Sequence, residues 1–148
     1  MLAQDRRRHA VILVVDDDPQ IRELVGDILG FAGYPVTAVD DGQAALALIP
    51  GLRPDLVITD LHMPDQDGLT VIREVRRLHP GVRLIAITGD GRYSDLAPPC
   101  LQMARLLGAD YWLQKPFGAA ELLKVVAFVL NQEPGGTTLA TATLATGH

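Results

Sequence analysis

Apolar residues fall into two alternating kinds of pattern along this chain. Short continuous runs cover 10–15 (AVILVV), 35–39 (PVTAV), 55–59 (DLVIT), 82–88 (VRLIAIT) and, more weakly, 110–113 (DYWL). Continuous rather than alternating apolarity predicts strands covered on both faces. Between the runs, apolar residues recur at helical spacing. In 19–33, Ile21, Leu24, Val25, Ile28 and Leu29 share one face, Pro19 suits the first turn and Gly33 the stop. In 67–79, Leu69, Ile72, Val75 and Leu78 do the same, ended by Pro80-Gly81. Segments 42–49, 101–107 and 119–131 predict the remaining helices. Five strand–helix units in succession predict an α/β fold, a doubly wound parallel sheet with helices on both faces.

The pattern divides the chain into an N-terminal arm (1–9), one domain (10–132) and a Thr/Ala/Gly-rich tail (133–148) that lacks an amphipathic period and reads as disordered. Composition changes this picture little. Hydrophobic content of 48% with 21% charged residues is that of an ordinary globular domain. No apolar stretch approaches the ~20 residues a membrane span needs. The basic start before Ala10 superficially resembles a signal peptide, but its apolar run ends in Asp16-Asp17-Asp18 without a small-residue cleavage site. The lone Cys100 excludes an intrachain disulfide and fits a reducing cytoplasm. A net charge of −5 argues against direct DNA binding; Arg6-Arg7-Arg8 reads as a solvated arm.

Candidate chemistry comes from how the apolar runs end. In an open parallel α/β sheet, ligands bind beyond the carboxyl ends of the strands. The first run ends in Asp16-Asp17-Asp18, the second in Asp40-Asp41, the third in Asp60, the fourth in Thr88-Gly89 and the fifth in Gln114-Lys115-Pro116. If the second strand is an edge, the other four bring carboxylates, a hydroxyl and an ammonium around one crevice. Carboxylates so close together repel unless a cation compensates them. Mg²⁺, which takes carboxylates, waters and phosphate oxygens in an octahedron, suits that donor set. Beside a carboxylate, a lysine and a threonine it is apparatus for phosphoryl transfer, with an aspartyl phosphate as product.

The segments ILVVDDDP, DLVITDLHMPDQDG, LIAITG and WLQKPF resemble the signature segments of response-regulator receiver domains of two-component signalling, over about residues 10–131. The resemblance implies a flavodoxin-like (βα)5 fold with strand order 2-1-3-4-5. It puts the phosphoacceptor on Asp60 and the acidic pair on Asp16 and Asp17, with Asp17 contacting Mg²⁺ directly and Asp16 through water. The backbone carbonyl of His62 becomes a further metal ligand, Thr88 the hydroxyl that meets the phosphoryl group, and Lys115 the site lysine. The resemblance also implies a cis bond at Lys115-Pro116, which proline alone allows at modest cost.

Three features depart from the common pattern. The switch aromatic, three residues before the lysine, is Trp112 rather than Tyr or Phe, and strand alternation favours it over the adjacent Tyr111. The stretch from Thr88 to Lys115 is longer than usual, with the surplus in loop 89–102. His62 and Asp90 occupy positions that influence phosphoryl hydrolysis in the family, and the His62 side chain is expected in solvent. The implied function is a stand-alone cytoplasmic receiver. It takes its phosphoryl group from a sensor histidine kinase or phosphotransfer protein, signals to another protein, and catalyses only its own phosphorylation and dephosphorylation. A homodimer is compatible with it. Two other functions fit parts of the pattern. A haloacid-dehalogenase-type phosphohydrolase would use Asp16-x-Asp18, with Asp16 as nucleophile. A docking module would keep the residues without cycling phosphate.

Overall fold

The computed structural model describes residues 10–63, 68–89, 102, 104, 105 and 107–132. The N-terminal arm, most of loop 89–102 and the C-terminal tail lie outside the described residues. Five parallel strands form one sheet in the order β2-β1-β3-β4-β5: β1 Ile12–Val15, β2 Val36–Val39, β3 Leu56–Asp60, β4 Arg83–Thr88 and β5 Tyr111–Gln114. The helices are α1 Pro19–Phe31, α2 Gly42–Leu52, α3 Gly68–Leu78 and α5 Ala119–Leu130. Between β4 and β5, Gln102, Ala104, Arg105 and Leu107 are helical and mark α4.

Alternation within the continuous apolar runs explains the layers. Ile12, Val14, Leu56, Ile58, Ile85, Ile87 and Leu113 point to one side, onto Val25 and Leu29 of α1 and Leu122, Val125, Val126 and Val129 of α5. Leu13, Val15, Val57, Leu84 and Ala86 point to the other, onto Ala45 and Ile49 of α2, Val71, Ile72 and Val75 of α3, and Ala104 of α4. Each strand therefore needs apolar side chains at both parities, which is why the runs are unbroken.

Helix ends follow local chemistry. Asp18 caps α1, accepting from the Gln20 N–H at 2.9 Å, with Pro19 in the first turn. The stop at Gly33 comes two residues after the last helical residue. Gly33 adopts a φ of +99°, its N–H reaches Gly30 O at 3.0 Å and the Tyr34 N–H reaches Leu29 O at 3.1 Å, the paired closure that a left-handed glycine permits. One boundary differs by more. The spacing ends the second helix at 49, before Pro50, but α2 continues to Leu52. Proline there lacks a single hydrogen bond in the last turn, and Arg53, at φ +54°, closes the helix with its N–H on Ile49 O at 2.8 Å. The third strand extends to Asp60 itself, so the carboxylate belongs to the strand rather than to the loop after it.

Candidate functional site

The sheet's carboxyl edge assembles the polar residues singled out above. Asp16 follows β1 directly and is fully buried; Asp60, last residue of β3, is 3% exposed. Lys115, just past β5, places its Nζ 3.2 Å from Asp16 Oδ2 and 3.3 Å from Asp60 Oδ2. Its own N–H donates to Thr88 O at 3.1 Å, so the sheet ladder itself carries the lysine to the acids. The Lys115-Pro116 bond is cis, as expected. Thr88, buried at the end of β4, donates its hydroxyl to Leu113 O over 3.4 Å, near the outer limit for such a bond.

Each acid is held by backbone. Asp16 Oδ1 accepts from the Asp18 N–H at 2.9 Å, and Asp60 Oδ1 accepts from the His62 N–H at 3.0 Å. The Leu61 N–H continues the β3–β4 ladder to Ile87 O at 2.9 Å. Gly68, first residue of α3, lies so close to this strand end that a Cβ there would overlap the Asp60 carbonyl oxygen. Only glycine lets the helix start against the Asp60 backbone.

The electrostatics follow from burial. Desolvation, then repulsion from Asp60, pushes the Asp16 carboxyl from its ordinary 3.8 up to about 6, against the opposing pull of the Asp18 N–H and Lys115. Burial alone would lower the Lys115 pKa, but the carboxylates of Asp60 and Asp16 outweigh it and raise it. The lysine is therefore a permanent cation wedged between two acids.

The donor set fits a hard divalent cation. Carboxylate oxygens of Asp16, Asp17 and Asp60 lie within 4.8 Å of one another. Asp16 Oδ2 is buried and pairs with Lys115 Nζ at 3.2 Å, and it has no aligned hydrogen-bond donor among the described residues, which leaves it lone-pair capacity for a cation. Asp17 is exposed and stands at the mouth of a cavity of about 520 Å³, lined also by Asp60, His62, Gly89, Lys115 and an apolar rim of Ile21, Leu24, Pro116 and Phe117. Asp18 takes part through its cap on α1 and is not among the three acids that converge.

A model of the response regulator receiver domain matches residues 12–127. The chain belongs to the response regulator receiver domain family. The response regulator MprA of Mycolicibacterium vanbaalenii is 42% identical over 122 residues, which are 82% of this chain and 50% of that protein. The chain thus spans about half the length of the curated relatives it matches. A CheY-like receiver domain protein from Methanospirillum hungatei superposes with a TM-score of 0.76 at 30% identity, covering 83% of this chain and 94% of that one. TrrA from Thermotoga maritima, solved as a complex with Mg²⁺–BeF, superposes with a TM-score of 0.66 at 35% identity, covering 81% of this chain and 98% of that one.

Within the receiver fold, one residue sits differently from expectation, two follow strand alternation and one was missed. The His62 side chain is half-buried and lines the cavity rather than standing in solvent, its backbone N–H tied to Asp60 Oδ1 at 3.0 Å. Trp112 is half-buried against the α2–α3–α4 side, opposite Ala86 of β4, whereas Tyr111 points to the α5 side with its ring centroid 6.0 Å from Phe128. Arg22 was not singled out by its sequence context. Its Nη1 donates to the Asp16 carbonyl oxygen at 2.8 Å, a contact that only the turn between β1 and α1 creates. Asp90 and the rest of the long loop up to Leu101 lie outside the described residues.

Proposed function

We propose that this receiver accepts a phosphoryl group on Asp60 in a Mg²⁺-dependent reaction, from a sensor histidine kinase or a histidine phosphotransfer protein, and signals through protein–protein contacts. The observation that carries the reading is the setting of Asp60. Its Oδ1 is tied back by the His62 N–H, while its Oδ2 faces Lys115 at 3.3 Å among the acids of one cavity.

In the transfer, a bond forms between an Asp60 oxygen and phosphorus as the phosphorus–nitrogen bond of a donor phosphohistidine breaks. Its electron pair leaves on the imidazole nitrogen. Asp16, Asp17, Asp60 and the His62 carbonyl would hold Mg²⁺, which supplies charge neutralisation for the phosphoryl oxygens. Lys115 contributes a second positive charge already in place, so no reorganisation is needed as charge develops. The Thr88 hydroxyl, held by one long bond, turns from Leu113 O to a phosphoryl oxygen. Burial of Asp60 and Thr88 restricts water at the acyl phosphate.

The product carries a new charge of about −2 with strong acceptor oxygens. Thr88 reports it to the neighbouring strand, where Trp112 stands two residues before Gln114, the register partner of Thr88. The output surface is then the face made by α4, β5 and α5, with Trp112 as its switch residue. Against the phosphohydrolase alternative, the geometry favours Asp60 over Asp16 as nucleophile. Asp18, the partner Asp16 would need, caps a helix and is not among the converging acids.

Beryllofluoride, a phosphoryl mimic, tests the reading. With Mg²⁺ it raises the melting temperature of the wild type, and the shift disappears with a chelator or in Asp60→Asn. A wild type indifferent to beryllofluoride and Mg²⁺ together would remove the basis for this function.

A further inference from the structure

Asp16 is held at every polar atom, three by hydrogen bonds and Oδ2 by its ion pair with Lys115. Its N–H donates to Val39 O at 3.1 Å, its Oδ1 accepts from the Asp18 N–H at 2.9 Å, and its carbonyl oxygen accepts from Arg22 Nη1 at 2.8 Å. Its Oδ2 faces Lys115 Nζ at 3.2 Å. The carbonyl bond has a particular consequence, because the Asp16 carbonyl and the Asp17 N–H belong to one rigid peptide plane. Whatever fixes that carbonyl fixes the direction in which the next residue leaves β1. Asp17 is exposed, so the plane before it sets where its carboxylate starts.

Arg22 is suited to this and its position is not accidental. Asp18 caps α1, and the Arg22 N–H donates to Asp18 O at 3.1 Å, so Arg22 closes the first turn of the helix whose cap follows the metal acids. Its guanidinium reaches back over that turn to the end of β1. The turn is thereby locked from both sides, by the Asp18 cap and by the Arg22 side chain.

We propose that Arg22 is a positioning residue for the metal site, holding the Asp16–Asp17 peptide so that both carboxylates face the cation. This rests on the receiver reading above and extends it to a residue that touches neither metal nor phosphoryl group. Partners that orient metal ligands typically change affinity by about 10- to 100-fold when removed.

Three effects of Arg22 differ in sign, which makes the inference testable with the intact chain. The test is calorimetric titration with Mg²⁺ alone, together with the melting temperature of the metal-free protein, for wild type, Arg22→Met and Arg22→Lys. Positioning predicts that Arg22→Met weakens Mg²⁺ binding about tenfold, and that Arg22→Lys, which restores a donor of similar reach, recovers most of it. If Arg22 acts only as a nearby positive charge, its removal tightens Mg²⁺ binding, because a cation repels a cation. If it only packs, the metal-free melting temperature falls while Mg²⁺ affinity is unchanged. Either of the last two results overturns the proposal. Should Arg22→Met not fold, Arg22→Gln, polar but too short to span the gap, gives the same comparison. A wild type that takes no Mg²⁺ overturns the receiver reading of the site, and this inference with it. A wild type that binds Mg²⁺ beside an equally competent Arg22→Met overturns the inference alone.

Discussion

At the scale of single residues, burial sets both chemistry and stability. Asp16 holds its proton in the metal-free folded state up to about pH 6, whereas an unfolded chain releases it near 3.8. The folded state therefore binds more protons between those values, and stability falls as pH rises through that window, by up to about 3 kcal/mol. Asp16→Asn should remove that slope. Urea midpoints without metal will show the variant's advantage over wild type growing from pH 4.5 to pH 7. Mg²⁺ must displace the same proton, so its stabilisation of wild type should be larger at pH 7.5 than at pH 5. Tyr111 gives a second residue-scale expectation. Its buried hydroxyl has no hydrogen-bond partner among the described residues, and burial raises the phenol's pKa. Tyr111→Phe deletes a desolvated polar group and keeps the edge-on contact with Phe128, so unfolding should report a change between neutral and about 1 kcal/mol stabilising. Strand alternation already separated Tyr111 from Trp112 in the sequence. The direction each ring faces followed from that parity alone.

At the scale of elements, the end of α3 is bound to the start of β5 by one side chain. Arg76 donates to Pro80 O at 2.8 Å, Val82 O at 3.0 Å and Gly108 O at 2.8 Å, and pairs with the buried Asp110 at 3.0 Å. Asp110 in turn accepts from the Leu84 N–H of β4 at 2.8 Å. Gly108 completes the joint, at φ +120° with Arg76 side-chain atoms only 2.8 Å from where a Cβ would stand. Gly108→Ala should cost about 2 kcal/mol or more in equilibrium unfolding, from backbone strain and collision together. Arg76→Met should cost about 3 kcal/mol, because it strips the cation from a buried carboxylate. None of this was legible beforehand. In EVRRL, Arg76 looks like its exposed neighbour Arg77, and nothing local distinguishes the arginine that turns inward. Elements themselves were legible because each strand run is apolar at both parities and each long helix has one apolar face. Their limits were less so, as Pro50 within α2 illustrates, since a proline in a last turn forfeits too little to stop a helix.

At the scale of the whole molecule, function concentrates on one edge of the sheet because parallel strands deliver their last residues there together. That is why Asp16, Asp60, Thr88 and Lys115, spread across 100 positions from 16 to 115, were recoverable from the ends of apolar runs. Arg22 was not, since its link to Asp16 depends on how the β1–α1 turn folds back. Gly68 belongs to both classes. The helical segment 67–79 took it in without remark, and the structure adds that its missing side chain lets α3 approach Asp60. Gly68→Ala should therefore impair phosphoryl acceptance more than it lowers the melting temperature, measured as phosphorylation rate and thermal unfolding on the same samples. The central claim is that Asp60 is the phosphoryl acceptor of this receiver. The most direct measurement is the intact mass of the chain after incubation with acetyl phosphate, with and without Mg²⁺, for wild type and Asp60→Asn. The account predicts one added phosphoryl group in wild type, dependent on Mg²⁺ and absent from Asp60→Asn. An adduct that persists in Asp60→Asn, or that forms equally without metal, would contradict it.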